Sequence, residues 1–524
     1  MSSAREILSE AVRLHRSGAL DDARTGYLRV LAAEPDNADA LNLLGVLELQ
    51  GKRYAEAADY LERAVASKRT AEYLGNLGLA YKHAGKRAAA ASRFEAALEL
   101  QPENLEAAIN LAALLHETGR TAEARDLLDA HAARGARHPQ YLYNLANVCI
   151  ETGEFDHARA LLEDLLAIAP ADAGALFNYA MLLKNAGEFD RAARGFEQLV
   201  DDSGKGAKAR WFLGQCRLLG GDFERGWEYF AERFEALDID YRETGLPAWK
   251  PGAGADDGLL VWAEQGIGDE LLFATHIPAL QPHSEYIRYE CDPRLRPLLA
   301  RTYPQIEFID RGRNLRTGAA RGPAYQCAAG DLVRYTNPGL DNRLAGATPL
   351  VVDADRATAI EVPGPASLRI GLSYHTSGSN AEHRMPPERL WNVFAEFEGR
   401  IELVDLQSNA HRVLSPPAAL RDKGMLHQVD AIDLHDDIDG LAALISGLDH
   451  VVTIDNAIAH LAGSLGVPAT LLLSTVHDWR WLSGRPTVPW YPALRLLRQR
   501  RQGDWDGVEA ELSGIVHGLA GDSD

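Results

Sequence analysis

The chain is poor in cysteine. It has four among 524 residues, Cys149, Cys216, Cys291 and Cys327, and none forms a C-x-x-C pair. That spacing excludes a disulfide scaffold and a cysteine-based zinc module, and it fits a reducing cytosol. Excess positive charge is also lacking: the formal net charge is -21. Nonspecific binding to nucleic acid or to an anionic membrane is therefore not expected, because excess cations drive both. The opening segment MSSAREILSEAVRLHRSG has no apolar signal-peptide core. No stretch approaches the roughly 18–20 apolar residues that span a bilayer. With 46% hydrophobic and 25% charged residues, the expectation is a cytoplasmic globular protein of two to four domains.

The first half is periodic. Small residues recur at Ala11, Gly45, Gly78, Ala112, Ala146, Ala180 and Gly214, with spacings of 34, 33, 34, 34, 34 and 34. A second series follows at Ala23, Ala57, Ala90, Ala124, Ala158, Ala192 and Gly226. Two small positions per unit let two antiparallel helices approach closely. Turns such as TGEFDHA (152–158) and AGEFDRA (186–192) place a glycine where a helix end needs left-handed backbone. Pro35, Pro102 and Pro170 stop the second helix of their units.

This pattern resembles the tetratricopeptide repeat family, with seven units between about residues 4 and 234 and the array taken as 1–234. Trp211, Trp227 and Phe230 of the degenerate last unit suit the sealing of an open solenoid end. Asn76, Asn110, Asn144 and Asn178 are 34 residues apart and are expected on the concave face. A primary amide both donates and accepts, so a column of amides suits an extended peptide backbone. Similar ladders hold protein substrates in O-GlcNAc transferases. The alternative is that these asparagines only pack the helices.

The repeats stop near 234, and 235–258 reads as a linker with Pro, Gly and no period. Strand patterns follow: LLVWAE (259–264), YIRYEC (286–291) and IEFID (306–310). After the breaker VPGPAS (362–367) come LRIGLSY (368–374), IELVDLQ (401–407), HVVTID (450–455), ATLLLS (469–474) and LRLLRQ (494–499). Helical stretches alternate with them, so two parallel sheets are expected, in lobes spanning 259–362 and 363–524.

WAEQGIGDELLFATHIPAL (262–280) resembles the first strand–turn–helix of GT-B glycosyltransferases related to heptosyltransferases. TIDNAIAHLAGSLGVPATLLL (453–473) resembles their donor-site motif. HDWRWL (477–482), PWYPALRLLRQ (489–499) and GDW (503–505) are similar to a bacterial subfamily in which a repeat array precedes this transferase. The resemblance implies an α-solenoid followed by a GT-B fold with two Rossmann-like lobes. It further implies metal-independent glycosyl transfer from a nucleotide sugar, with no cofactor. Some members modify flagellin with nonulosonic acids, which makes flagellin the favoured acceptor and such a sugar the favoured donor group.

Asp269 follows Gly266 and Gly268 at a strand-to-helix turn. By the resemblance it is the general base that deprotonates the acceptor hydroxyl; the alternative is a helix cap. Glu264 and Glu270 are secondary candidates. Leu271 breaks G-x-G-x-x-G, so no dinucleotide is expected. Asp455, Asn456 and His460 open the helix after HVVTID, where free N–H groups attract phosphate. The family usually has Thr at the position of Asn456, and this departure points to a different donor, such as one with a single phosphate. In the loop after LRIGLSY, Ser377, Gly378, Ser379 and Asn380 suit a phosphate cradle, Arg384 a leaving-group cation, and His375 a further donor contact. Gln407 ends IELVDLQ and suits a base or ribose. Trp479, Trp481, Trp490 and Tyr491 suit either the cleft or, more commonly for aromatics, the core. Two other functions compete: a non-enzymatic adaptor with a degenerate transferase, and a transferase acting on a lipid-linked glycan.

Overall fold

The computed structural model describes residues 3–253, 258–312, 322–336, 349–361, 368–375, 384–407, 424–501 and 503–521. The chain divides into two compact units, Met1–Tyr179 and Ala180–Asp524.

The first unit is a solenoid of helix pairs, beginning Ala4–Arg16 with Leu20–Ala33 and Ala38–Gln50 with Tyr54–Ser67. The small residues sit where the pairs touch. A methyl group added at Gly45 would stand 2.5 Å from Leu61, and one at Gly78 would stand 2.6 Å from Phe94. Ala23, Ala57, Ala90, Ala124 and Ala158 are fully buried. The first helix of a pair generally starts from a side-chain cap: Ser3, Asn37, Thr70, Asn104 and His138 each accept from a backbone N–H of the first turn. The second helix starts without one, because the chain enters it through a tight left-handed turn. Gly153 takes that conformation (φ 79°), and Lys52 takes it without being glycine (φ 56°).

The second unit joins the last helices to two sheets. The helices Gly206–Leu219 and Phe223–Phe230 put Trp211, Trp227 and Phe230 into one core with Phe273 and Trp479. Trp227 and Phe230 meet Trp479 edge-on, each at 5.2–5.3 Å between ring centres. This shared core ties the last repeat helices to the second unit.

The first sheet contains β1 (Gly258–Trp262), β2 (Ile287–Cys291), β3 (Glu307–Asp310) and β4 (Pro323–Ala328), in the order β3-β2-β1-β4 with parallel pairing. The second contains β5 (Leu368–Ser373), β6 (Ile401–Asp405), β7 (Leu426–His427), β8 (His450–Ile454), β9 (Ala469–Leu473), β10 (Thr487–Val488) and β11 (Tyr491–Arg498). Its order is β10-β11-β9-β8-β5-β6-β7, parallel except at β10/β11. β1, β5, β6, β8 and β9 consist of apolar-rich runs, and every residue of β1, β6, β8 and β9 is buried, as strands covered on both faces require. The chain reverses its direction of travel across the sheet between β5 and β8, and in the first sheet between β1 and β4. Such switch points leave a crevice at the carboxyl ends of the strands.

Candidate active site

A cavity of about 330 Å³ lies at the β5/β8 switch point. Ser373 and His375 reach it from the end of β5, Leu406 and Gln407 from β6, and Asn456, Ala457 and Ile458 from β8. Ile267 and Arg294 come from the first sheet's side, and Leu434, His435, Ile438 and Leu441 complete the wall. The result is an apolar chamber with a few convergent polar groups, within the volume range of small-molecule sites. Arg294 is held by a fork on Asp292, with both bonds at 2.9 Å, and donates to the His435 carbonyl at 3.2 Å. Gln407 is 5% exposed, and its Oε1 accepts from the His375 N–H at 3.0 Å.

Asn456 caps the helix Ala457–Leu465. Its Oδ1 accepts from the N–H groups of Ile458 (3.0 Å) and Ala459 (3.4 Å) and from the Thr453 hydroxyl (3.1 Å). Its Nδ2 donates to Ser373 Oγ at 2.8 Å. The amide expected to meet phosphate is therefore engaged within the fold. It fastens the start of the helix to the end of β5.

Asp269 lies in the first turn of the helix Ile267–Ala274, and its Oδ2 accepts from the Gly266 N–H at 3.2 Å. Its Oδ1 accepts from the Arg480 guanidinium. Burial pushes the Asp269 carboxyl above its usual range, and Arg480 opposes that shift. His460 is 4% exposed and pairs through Nδ1 with the Tyr491 hydroxyl at 3.0 Å. Burial and the nearby Arg480 charge pull its pKa down to about 3, so the imidazole is neutral. His460 lies against Gly268, the residue before Asp269, and neither Asp269 nor His460 lines the cavity.

Burial also raises Asp455, with Asp478 adding to the effect, whereas Arg480 overcomes burial at Asp478 and holds it low. Arg384 is lowered by burial, and the charge of Asp455 opposes this. Ser377, Gly378, Ser379 and Asn380 lie outside the described residues. Glu264 is buried beneath a fork from Arg233, with both bonds at 2.6 Å, and also accepts from the Gly330 N–H at 2.7 Å. This fills the β1/β4 switch point with an ion pair. Glu270, 1% exposed, accepts from the Asp292 N–H at 2.7 Å, and burial raises it to about 7. Trp479, Trp481, Trp490 and Tyr491 are all buried core residues. Sequence reasoning passed over Arg480, Ser373 and Arg294, since their roles depend on chain segments far apart in sequence.

In the array, the ladder amides bond internally. Asn76 donates to Asn42 (2.9 Å), Asn110 to the Glu106 carbonyl (2.9 Å), Asn144 to the Ile109 carbonyl (3.0 Å) and Asn178 to Asn147 (2.7 Å). Asn144 is buried, and the other three are half-buried. Cys149, Glu154 and His157 bring ligand-type atoms within 4.8 Å of one another. The Arg125 guanidinium lies among them, 3.4 Å from Cys149 Sγ and 2.8 Å from Glu154 Oε1, so the cluster already holds a cation.

Comparison with known families matches residues 8–72, 82–148 and 150–205 to the tetratricopeptide repeat. The N-terminal region is a tetratricopeptide repeat array. Such arrays form extended concave surfaces that bind proteins. Among curated proteins, the chain is similar to Protein FlbA of Caulobacter vibrioides, 27% identical over 329 residues, covering 58% of this chain and 54% of that protein. The chain thus spans about half the length of that relative. Among solved structures, a tetratricopeptide repeat protein from Parabacteroides merdae matches with a TM-score of 0.36 and 19% identity, covering 46% of this chain and 94% of that one. YrrB, described as a tetratricopeptide protein with an unusual peptide-binding site, matches with a TM-score of 0.30 and 22% identity, covering 33% of this chain and 90% of that one. In the described residues, no helix is long and apolar enough to cross a membrane.

Proposed function

We propose that the α/β region is a glycosyltransferase of GT-B type, and that the repeat array selects its protein acceptor. The cavity at the β5/β8 switch point, bordered by the first residues of the Ala457–Leu465 helix, carries this reading. A nucleotide sugar places its phosphate at such a helix start and its base in the apolar chamber. Ser or Thr of the acceptor supplies the nucleophile. Its oxygen bonds to the anomeric carbon while the bond from that carbon to the phosphate oxygen breaks. Asp269 takes the hydroxyl proton, and the nucleotide departs with the electron pair, its charge met by the helix start and Arg384. By the resemblance, the favoured acceptor is flagellin and the favoured sugar a nonulosonic acid such as pseudaminic acid.

The test begins with a thermal-shift panel of CMP, UDP, GDP and ADP, since a bound nucleotide stabilises by mass action. Incubation with flagellin and the sugar donors of the responding base follows, read by intact mass. The expected product is flagellin heavier by whole sugar residues, absent with Asp269→Ala. Acceptor left unmodified by every donor class would overturn the proposal.

One observation favours the adaptor reading. The Asn456 amide, read from the sequence as a phosphate ligand, is bonded through both its atoms within the fold. No thermal shift with any nucleotide or nucleotide sugar would decide for it.

A further inference from the structure

Arg480 sits on the short turn Trp479–Trp481, its side chain 13% exposed. Its Nη2 donates to Asp269 Oδ1 and to Gln265 Oε1 at 2.9 Å, and its Nη1 donates to Asp478 Oδ1 at 2.5 Å. The guanidinium carbon lies over the Trp479 ring, 4.6 Å from its centre. The side chain is therefore fixed by two carboxylates, an amide and an indole, and it ties the 478–481 turn to the start of the Ile267–Ala274 helix.

We infer that Arg480 is the positioning residue of the proposed transfer, supplying the counter-charge of Asp269 and aiming its carboxylate while making no contact with the donor. The inference rests on Asp269 acting as the base. A buried carboxyl without a counter-charge keeps its proton and cannot accept another. The groups packed around Asp269 supply one such counter-charge. The Ala457–Leu465 helix contributes His460, which is neutral, and β11 contributes the Tyr491 hydroxyl, held protonated by burial. Asp455 and Asp478 are acidic, and Asp478 also feels Lys184. The 329–331 turn contributes Asp331, already paired with Arg233 at 2.7 Å. On the same helix Glu270 is paired with Arg311 at 3.3 Å. Among these groups Arg480 alone puts a cation on Asp269.

The geometry also leaves Asp269 able to act. Oδ1 accepts from Arg480 and Oδ2 from Gly266. Each oxygen keeps a second lone pair for a substrate hydroxyl. Three of the five N–H groups of Arg480 are spent on Asp478, Gln265 and Asp269, which sets it apart from a phosphate ligand.

The experiment measures initial rates against pH for the full chain and for Arg480→Met and Arg480→Lys, with flagellin and the donor found by the nucleotide panel. Arg480→Met is expected to lower kcat at pH 7 by about tenfold or more and to move the acid limb to higher pH, so that activity recovers as pH rises. The donor KM stays within about twofold, and Arg480→Lys keeps the acid limb near its original place. A raised donor KM with an unmoved limb would overturn the inference, as would an equal loss at every pH in a variant that melts lower. Failure of the functional reading shows separately, as no transfer by the unsubstituted protein. The pairing is then read from melting temperatures of Asp269→Asn, Arg480→Met and the double variant: coupled losses uphold it and additive losses refute it.

Discussion

The His460 ring lies over Gly268: a methyl group added at Gly268 would stand 2.8 Å from His460 Cδ2 and 3.3 Å from Nε2. The imidazole cannot simply retreat, because Tyr491 holds Nδ1 at 3.0 Å and the Trp481 ring centre lies 4.8 Å away. The two helices that open toward the candidate site therefore meet at a distance that only glycine permits. Gly268→Ala is expected to destabilise the second unit by about 1–3 kcal/mol, the usual cost of overpacking. It should also reduce any nucleotide-induced thermal shift. Melting curves with and without nucleotide check both effects, and an unchanged melting temperature would mean that His460 moves freely.

The Arg233 fork on Glu264 predicts a larger loss. Arg233 is 1% exposed, also donates to Asp331 at 2.7 Å, and stacks 4.7 Å over Phe230 and 4.2 Å over Phe234. Arg233→Met strands two carboxylates in the core and is expected to cost about 3–5 kcal/mol. Glu264→Gln leaves the Asp331 pair in place and should cost less. Urea unfolding of the two variants reads the difference. Equal costs would mean that Asp331 contributes nothing to holding the guanidinium.

Glu270 gives stability a pH dependence. Its folded pKa, near 7, lies above its ordinary value of 4.5 because burial disfavours the charge. The unfolded chain therefore gives up this proton first. The stability from this group is complete below about pH 4.5 and is lost as pH rises through 7, amounting to about 3 kcal/mol. Glu270→Gln keeps an acceptor for the Asp292 N–H and should flatten unfolding free energy between about pH 4.5 and 7. If the slope in that window is the same in the variant, the dependence originates elsewhere.

Local periodicity carried the array and most strands, because spacing is itself the signal. Gly45 and Gly78 recur where helices touch, and apolar runs mark β1, β6, β8 and β9. β4 was harder to see: PAYQCA opens on proline and alternates poorly. Asn456 shows a different difficulty. An asparagine at a helix start is equally a cap and a phosphate ligand in sequence, and only the Ser373 hydroxyl at 2.8 Å, 83 residues away, distinguishes them. Arg480 was illegible because its partner Asp269 lies 211 residues earlier. Amid the aromatics of HDWRWL, a buried arginine gives no local pattern.

The asparagine ladder separates into members with different consequences. Asn144 is 8% exposed and donates to the Ile109 carbonyl in the first helix of the preceding repeat unit. Asn144→Ala removes that bond and the acceptor of the Gln140 amide at 2.9 Å, while the Ile109 carbonyl keeps its place in its own helix, so a cost of about 0.5–1.5 kcal/mol is expected whatever the array binds. Asn110 is half-buried, donates back to Glu106 within its own helix and accepts from Lys82 at 3.3 Å. Asn110→Ala should change stability by less than about 0.5 kcal/mol. It therefore tests the peptide clamp cleanly where Asn144 cannot. If the ladder grips an acceptor backbone, Asn110→Ala weakens flagellin binding to the full chain by about tenfold, equivalent to about 1.4 kcal/mol, with an unchanged melting temperature. Titration calorimetry reads the affinity. Unchanged binding would make the ladder a packing device and move acceptor recognition to other residues of the array.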